Sequence, residues 1–400
     1  MSNEELDLFS DQPTERRRPV RKPASKPKKR RTMLWAVMAV VLVAIGAVGY
    51  YGLRQLLDIG SYDDFSGPGK DDVVVRVESG NSTGDIAATL AEAGVVASSR
   101  AFVNAAEADE RVRSIQPGYY VMKSEASGAE AVKKIVDPES RVGNIQIPPG
   151  STLHDITKTD GSVEPGIVNR LAAASCADLN GESTCVPVEE LRAVADTADL
   201  AALGAPDWAI PNAAAAEPAR RLEGLVLPGV YDVRPGSTAE ELWKQLVTDS
   251  ATQLQVLGWP DAAADTGYTP YQVLIMASLV EREAIKVDFG KVSRVTYNRL
   301  RDGMELQYDS TINYVQNEPT IRTNSEDRER PGPYNSYMNT GLPPTPISSP
   351  SKEALAAAVA PEEGEWLFFV RCEKNGMSCF ATTNDEHEAN VDMAQERGAY

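Results

Sequence analysis

An uncharged apolar run at residues 33–53 limits what this 400-residue chain can fold into more than any other feature. No Asp, Glu, Lys or Arg occurs from Thr32 to Leu53, and a helix of that length spans the roughly 30 Å hydrocarbon core of a bilayer. A cleaved signal peptide would have a shorter apolar region, of about 7 to 15 residues, and a small-residue cleavage site. This run ends instead in Tyr50 and Tyr51, which suit a membrane interface. The sequence therefore predicts a single transmembrane helix at residues 33–53.

The charge on either side of this run predicts its orientation. Residues 1–32 carry ten basic and five acidic side chains, whereas the rest of the chain carries 30 basic and 53 acidic ones. Because positive flanks stay on the cytoplasmic side, we expect a cytoplasmic tail at 1–32, a linker at 54–72 and an extracytoplasmic remainder at the plasma membrane. A basic tail can also bind nucleic acid, but so acidic a remainder argues against that role for the exported part.

Four cysteines form two short-range pairs, as expected for an exported protein in an oxidising location. Cys176 and Cys185 enclose a short loop, and Cys372 and Cys379 flank an Asn-Gly turn that is typical of a hairpin. We predict one local disulfide within each pair. Neither pair has CxxC spacing, the chain has only two histidines, and no phosphate-binding loop occurs, so no metal and no cofactor is expected.

Alternating strand and helix signals predict an α+β fold for the exported part. A valine-rich strand, a Ser82 or Thr83 helix cap and two further helices predict a small α+β module at residues 73–140. The pattern then restarts as a mixed α+β domain at residues 141–400, with an Ala-rich insertion at about 160–220. A Pro- and Gly-rich loop is predicted to last until Ser351, and the chain is predicted to end in a hairpin and a helix.

A helix predicted to begin at Thr269 and Pro270 carries the strongest candidates for chemistry, two glutamates near its end. On a continuous helix, the neighbours of Glu281 on its own face are all apolar or small, which favours a protonated carboxyl near neutral pH. Glu283 would instead be held ionised by Lys286, three residues ahead. Glu281 is therefore the predicted proton donor. The alternative is that both acids lie at the rim of the core and merely reach solvent.

Aromatic and amide side chains around this helix suggest a glycan-binding cleft. Tyrosines recur between residues 297 and 337, and flat amphipathic rings suit the faces of sugars. Amides and carboxylates such as Asn298, Gln307, Asp309 and Asn335 can bond hydroxyl and acetamido groups, although each taken singly is more often structural. Neither histidine accompanies a GxSxG motif, and His387 is interpreted as a capping or hydrogen-bonding group.

Five motifs in order resemble a known family. They are LEGLVLPGVY, MASLVEREA, YNRLRDGMELQYDSTINY, PYNSYMNTGLPPTPIS and FFVRCEKNGMSCFATTNDEHEANV. Together they resemble the endolytic murein transglycosylases, the membrane-anchored YceG-like lytic transglycosylases, and the module at 73–140 resembles the LysM-like subdomain of that family. The resemblance covers residues 73 to about 395 outside the Ala-rich insertion. One departure is the sequence Ser-Ser-Pro-Ser after PPTPI, where the family usually has Asn-Pro-Gly.

The resemblance implies a site and a reaction. The family's catalytic glutamate is placed on Glu281. The cleft-lining candidates that the resemblance implies are Glu223, Asn298, Gln307, Asp309, Tyr334, Asn335 and Tyr337. The implied reaction cleaves the β-1,4 bond between N-acetylmuramic acid and N-acetylglucosamine in nascent peptidoglycan and leaves 1,6-anhydro ends. Implied partners are glycan strands, cell-wall synthases and the division or elongation machinery. The alternatives are a non-catalytic peptidoglycan-binding scaffold and a muramidase-type hydrolase.

Overall fold

A computed structural model describes residues 62–158, 160–316 and 324–399, together with Met38, Val43, Gly46 and Val48. Those four single residues are helical, but the rest of the predicted membrane segment and the whole basic tail lie outside the described residues. Within the described part of the chain, none of the helices combines the length and the apolar character that crossing a bilayer requires. Residues 62–400 form one compact unit, which contains both predicted exported domains.

The first domain is a three-stranded antiparallel sheet in the order β1-β2-β3, covered by three helices. Its elements are β1 (Asp72–Val77), α1 (Thr83–Glu92), α2 (Ser99–Ala106), β2 (Gly118–Lys123), α3 (Gly128–Ile135) and β3 (Arg141–Val142). Ser82 caps α1 in a reciprocal capping box with Asp85, as the sequence predicted. A separate core of Leu90, Phe102 and Met122 lies between sheet and helices. The strands and helices predicted for this stretch are present, and its bounds as a module and its likeness to a LysM-like subdomain remain predictions.

The Ala-rich region folds as short elements between two paired strands, β4 and β9. These elements are β4 (Asn144–Ile147), β5 (Ile156–Thr157), β6 (Val163–Glu164), α4 (Ile167–Ala174), β7 (Asp178–Leu179), β8 (Glu182–Ser183), α5 (Val188–Thr197), α6 (Ile210–Ala215) and β9 (Gly229–Asp232). Leu171, Leu191 and Leu203 of this region are fully buried in the main core. The region is therefore part of the domain's hydrophobic core. The predicted disulfide between Cys176 and Cys185 is present.

A helical layer completes the main core. Its helices are α7 (Ala239–Val256), α8 (Pro270–Glu283), α9 (Phe289–Arg301), α10 (Asp309–Tyr314), α11 (Ser325–Glu329) and α12 (Lys352–Val359). Thr269 caps α8 in a capping box with Gln272, and Pro270 takes the first helical position, as predicted. Residues 273–280 of α8 are all buried, and α9 and α12 pack against this helix. A helix that is apolar on every side lies inside a core, so α8 is the central helix of the domain.

The end of the chain matches its prediction. Strand β10 (Phe368–Arg371) pairs antiparallel with β11 (Ser378–Ala381), and helix α13 (Asn384–Arg397) follows. A disulfide between Cys372 and Cys379 closes the hairpin, as predicted. The loop before α12 lasts until Ser351, which caps that helix.

Candidate active site

Helix α8 ends at Glu283, and its two glutamates, Glu281 and Glu283, have different surroundings. Ala284 has an extended backbone (φ −140°), so the residues after Glu283 do not continue the helical face that the sequence argument assumed. Glu281 accepts a hydrogen bond from the backbone N–H of Ser351 at 2.8 Å, at the beginning of α12. A carboxylate at a helix N-terminus accepts a hydrogen bond from an N–H that has no partner within the helix, and it interacts favourably with the helix dipole. The carboxylate of Glu281, the predicted proton donor, therefore lies against the first turn of α12.

The turn that departs from the family pattern is held by the same helix. Ser278 of α8 accepts a hydrogen bond from the Ile347 N–H at 3.1 Å, and its carbonyl oxygen accepts one from the Ser348 hydroxyl at 3.2 Å. The Ser349 hydroxyl donates to the Val226 carbonyl oxygen at 2.6 Å. These buried serines satisfy backbone groups that would otherwise be unpaired in the core. Together with the bond from Ser351 to Glu281, these hydrogen bonds hold the loop of residues 347–351 against α8.

Glu283 lines a cavity of about 630 Å³, a size typical of ligand sites. The cavity lies between the end of α8, the loop before α10, the loop around Tyr337, strand β10 and helix α13. Its lining residues include Arg282, Glu283, Arg299, Gln307, Asp309, Ser310, Asn313, Arg328, Tyr337, Phe368, Phe369 and His387. Glu281 is not among the residues that line this cavity.

The Glu283 carboxyl is a protonatable group near neutral pH. Its Oε1 accepts a hydrogen bond from the Ser310 N–H at 3.2 Å. Burial raises the pKa of Glu283 to about 7, and the charge of Asp309 acts in the same direction, while Arg282 opposes it. The predicted pairing with Lys286 is corrected, because Lys286 forms an ion pair with Glu353 at 2.5 Å. A group with a pKa near the working pH can both give and accept a proton.

Three of the predicted cleft residues, Gln307, Asp309 and Tyr337, lie in this cavity. The Tyr337 hydroxyl donates to Asp309 Oδ1 at 2.6 Å, and Arg328 donates to the same oxygen at 3.3 Å. The backbone of Gln307 is in the left-handed region (φ 56°), and its Oε1 accepts a hydrogen bond from Arg299 at 3.3 Å. These contacts fix the second carboxylate of the cavity in one orientation.

An aromatic and cationic wall faces the carboxylates, and the sequence reasoning missed it. The ring of His387 stacks on that of Phe368 with centroids 5.3 Å apart, and the Arg299 guanidinium lies 5.2 Å from the Phe368 centroid. Burial lowers the pKa of His387, so the imidazole is neutral at pH 7. Thr383 caps α13, and Nδ1 of His387 has no hydrogen-bond partner among the described residues, so the interpretation of His387 as a capping or hydrogen-bonding group is corrected. The DEHEAN motif is visible in the sequence, but the packing of α13 on β10 and β11, which brings His387 to the cavity, is a tertiary contact.

Asn298, Tyr334 and Asn335 support the site from outside this cavity. Asn298 is 1% exposed and donates to the carbonyl oxygens of Gly364 and Trp366. Asn335 is 3% exposed and donates to the carbonyl oxygen of Arg328. The Tyr334 hydroxyl is hydrogen-bonded to Thr345. Tyr334 and Asn335 line a separate cavity of about 290 Å³ together with Arg220, so their role as cleft-lining residues stays a prediction. The buried amide of Asn298 is used in holding loops together.

Glu223 lines a second cavity, of about 450 Å³. Arg282 and Asn313 line both cavities, so the two adjoin. Glu223 is 1% exposed, and its Oε2 accepts hydrogen bonds from the Leu153 N–H at 3.3 Å and the Tyr314 hydroxyl at 3.0 Å. Burial raises the pKa of Glu223 to about 7. The site therefore has a second protonatable carboxyl beside the cavity of Glu283.

Fold and site together define a mixed α+β protein with protonatable carboxyl groups in two adjoining cavities. The sequence matches the YceG-like family over residues 75–393, which is most of the chain. The chain belongs to the YceG-like family, and the resemblance drawn from the five motifs is confirmed.

Known relatives agree with this membership. The chain is 27% identical over 366 residues to the endolytic murein transglycosylase of Streptococcus pneumoniae serotype 2, covering 88% of this chain and 63% of that protein. It is 28% identical over 351 residues to the endolytic murein transglycosylase of Bacillus subtilis strain 168, covering 86% and 89%. A crystal structure of a yceG-like protein from Listeria monocytogenes superposes with a TM-score of 0.52 at 25% identity, covering 80% and 99%. The chain thus spans 63% of the length of its pneumococcal relative.

Proposed function

We propose that this chain is a lytic transglycosylase that cleaves the β-1,4 bond between N-acetylmuramic acid and N-acetylglucosamine in peptidoglycan. One observation carries the proposal: the carboxyl of Glu283, with a pKa of about 7, lies in a cavity lined by a second carboxylate and by aromatic rings. Two relatives that match most of this chain are named endolytic murein transglycosylases, which supports peptidoglycan as the substrate.

Glu283 carries the chemistry in this proposal. Its protonated carboxyl donates the proton to the glycosidic oxygen as the bond to muramoyl C1 breaks, which releases the N-acetylglucosamine 4-hydroxyl. The resulting carboxylate takes the proton of the muramoyl 6-hydroxyl as that oxygen bonds to C1. The product is a 1,6-anhydro end, no water is consumed, and the acid is regenerated. A single carboxyl with a pKa near 7 suits both steps.

Asp309 supports a second candidate function, a muramidase-type hydrolase. Hydrolysis ordinarily needs two carboxyl groups, about 5 to 9.5 Å apart, that flank the bond. Asp309 lines the cavity beside Glu283, and its charge influences the Glu283 carboxyl. In the leading proposal, Asp309 keeps Glu283 protonated and stabilises positive charge at C1, and no water is activated.

Membrane anchoring is a further part of the proposal and rests on the sequence alone. The uncharged run of residues 33–53 and the basic tail before it support a single-pass anchor in the plasma membrane with the catalytic domain outside. Such an anchor would hold the site close to nascent strands and to synthases of the division or elongation machinery. Protease added to intact spheroplasts should remove the epitope of a C-terminal tag and spare that of an N-terminal tag; the reverse pattern would contradict this topology.

Product analysis tests the reaction. The full chain in detergent is incubated with uncross-linked nascent strands, and the products are measured by mass spectrometry. We expect ends lighter by one water than the hydrolysis product, which are anhydro ends. Reducing ends would favour the hydrolase, and intact strands would favour a non-catalytic scaffold. Heat-inactivated protein is the control.

A further inference from the structure

The cavity beside Glu223 contains cationic groups that the proposed reaction does not use. Two arginines, Arg220 and Arg282, line it together with His154 and the acidic residues Asp155 and Glu223. The Arg220 guanidinium lies 4.5 Å from the ring centroid of Tyr314 and 4.9 Å from that of Tyr334. Since Arg220 lies over both rings, stacking on a sugar is not the obvious use of this cavity. The Asp155 carboxyl accepts hydrogen bonds from Gly166 and Asn169, so the two guanidinium groups leave a lining suited to an anionic ligand.

Glu223 provides a second, independent sign of a ligand. The side chain is 1% exposed, and its Oε1 has no hydrogen-bond partner among the described residues. An unpaired buried oxygen is costly in a folded protein, and a bound group that exchanges a hydrogen bond with it removes that cost. Because burial raises the pKa of Glu223 to about 7, the carboxyl is largely neutral below that pH and can donate a hydrogen bond to an anion.

The two arginines retain binding capacity. Arg220 Nε donates to Glu217 Oε2 at 3.0 Å, but the Glu217 side chain is 64% exposed, and exposed ion pairs are weak. Arg282 donates to the Gly150 carbonyl oxygen at 3.2 Å, and within the described ranges it forms no salt bridge. Guanidinium groups bind carboxylates through strong charge-assisted hydrogen bonds.

We propose that this cavity binds a carboxylate of the peptide stem on a muramoyl unit, while the scissile bond lies beside Glu283. The inference rests on the proposed function and names the part of the substrate that gives it specificity. Arg282 and Asn313 line both cavities, so one strand with its stem can contact both. Glycan that has lost its stems keeps only the lactyl carboxylate, which lies next to the sugar ring, and lacks the stem carboxylate that this cavity would bind.

The test compares two substrates with the full chain in detergent. One is uncross-linked glycan carrying peptide stems, and the other is the same glycan stripped of stems by an amidase. We expect kcat/KM to be on the order of tenfold higher for the stem-bearing strands, as one charge-assisted contact provides. Arg220→Gln should reduce this ratio through KM and leave the kcat ratio unchanged. Arg234→Gln, at an exposed arginine outside both cavities, is the matched control.

A second variant should change the substrate preference in the opposite direction, and because it replaces an exposed side chain it should not disturb the core. Glu217→Gln removes the exposed competitor for Arg220, so the preference for stem-bearing strands should increase. Equal cleavage of both substrates by the wild-type protein would overturn the inference. A kcat/KM ratio that neither variant changes would also overturn it.

Failure of the reaction itself remains distinguishable. If neither substrate is cleaved, calorimetry compares N-acetylmuramoyl dipeptide with a terminal carboxylate and the same compound as its amide. Tighter binding of the carboxylate, reduced by Arg220→Gln, supports the inference even though the proposed function has failed. Equal binding of the two compounds overturns it.

Discussion

Raising the pH through neutrality should inhibit this protein, because its proposed acid must be protonated. With a pKa of about 7, Glu283 is protonated in about 90% of molecules at pH 6 and in about 10% at pH 8. We therefore expect kcat/KM for strand cleavage to fall by roughly tenfold between these values, with a midpoint near 7. The assay is the initial rate of product release from one strand preparation in buffers of constant ionic strength. A rate that is constant to pH 9 would refute the reasoning.

Glu223 also has a pKa of about 7, so the midpoint of the pH profile must be assigned to one of two residues. A variant at Asp309 makes this assignment. The charge of Asp309 helps to raise the pKa of Glu283, after burial, but does not contribute to that of Glu223. Asp309→Asn should therefore move the midpoint to lower pH if Glu283 is the titrating group. Measured on strands without peptide stems, where the Glu223 cavity is not used, Glu223→Gln is the matched control and should leave the midpoint in place. An Asp309→Asn profile with an unchanged midpoint would exclude Glu283 as its origin.

Three further predictions concern stability. Glu281→Ala removes the acceptor for the Ser351 N–H and should lower the unfolding free energy by about 1 kcal/mol in urea titrations, while a loss near zero would contradict the bracing role. The raised pKa of Glu223 gives stability that is present below the unfolded pKa, about 4.5, and is lost as pH rises through about 7. The loss is at most about 3 kcal/mol, so Glu223→Gln should flatten the dependence of Tm on pH between 5 and 8, and parallel curves would contradict it. Replacing Cys372 and Cys379 together with serine should lower stability by about 2 kcal/mol by calorimetry, and an unchanged Tm in the oxidised protein would contradict it.

Local signals predicted most of the elements of this fold. Capping at Thr269, the hairpin at the end of the chain and the helix after Ser351 are each specified within a few residues, and all are confirmed. Both disulfides are local as well and are confirmed. The end of α8 at Glu283 was missed because the sequence there contains no Gly or Pro stop signal, and the break at Ala284 coincides with the turn into the next helix.

The candidate site depends on tertiary contacts that spacing along the sequence cannot show. The choice of Glu281 from its helical neighbours assumed that α8 has one apolar face. Because α8 is buried on all sides, apolar neighbours do not indicate which side of the helix faces the cleft. The direction is set by partners far along the chain: Ser351 beside Glu281, and Ser310 beside Glu283. His387 joins the site only because α13 folds back over the cavity. The resemblance pointed to the motif that contains both glutamates, and within it only Glu283 lines the cavity on which the proposed function rests.

Two matched variants, Glu283→Gln and Glu281→Gln, test the central claim most directly. Each replaces one carboxyl with an amide of nearly the same size, two residues apart on one helix. The measurement is the rate of release of anhydro-ended fragments from nascent strands, with folding monitored by circular dichroism. Our account predicts that Glu283→Gln abolishes release while Glu281→Gln keeps most of it. Loss of release in Glu281→Gln, with Glu283→Gln still active, would contradict the account.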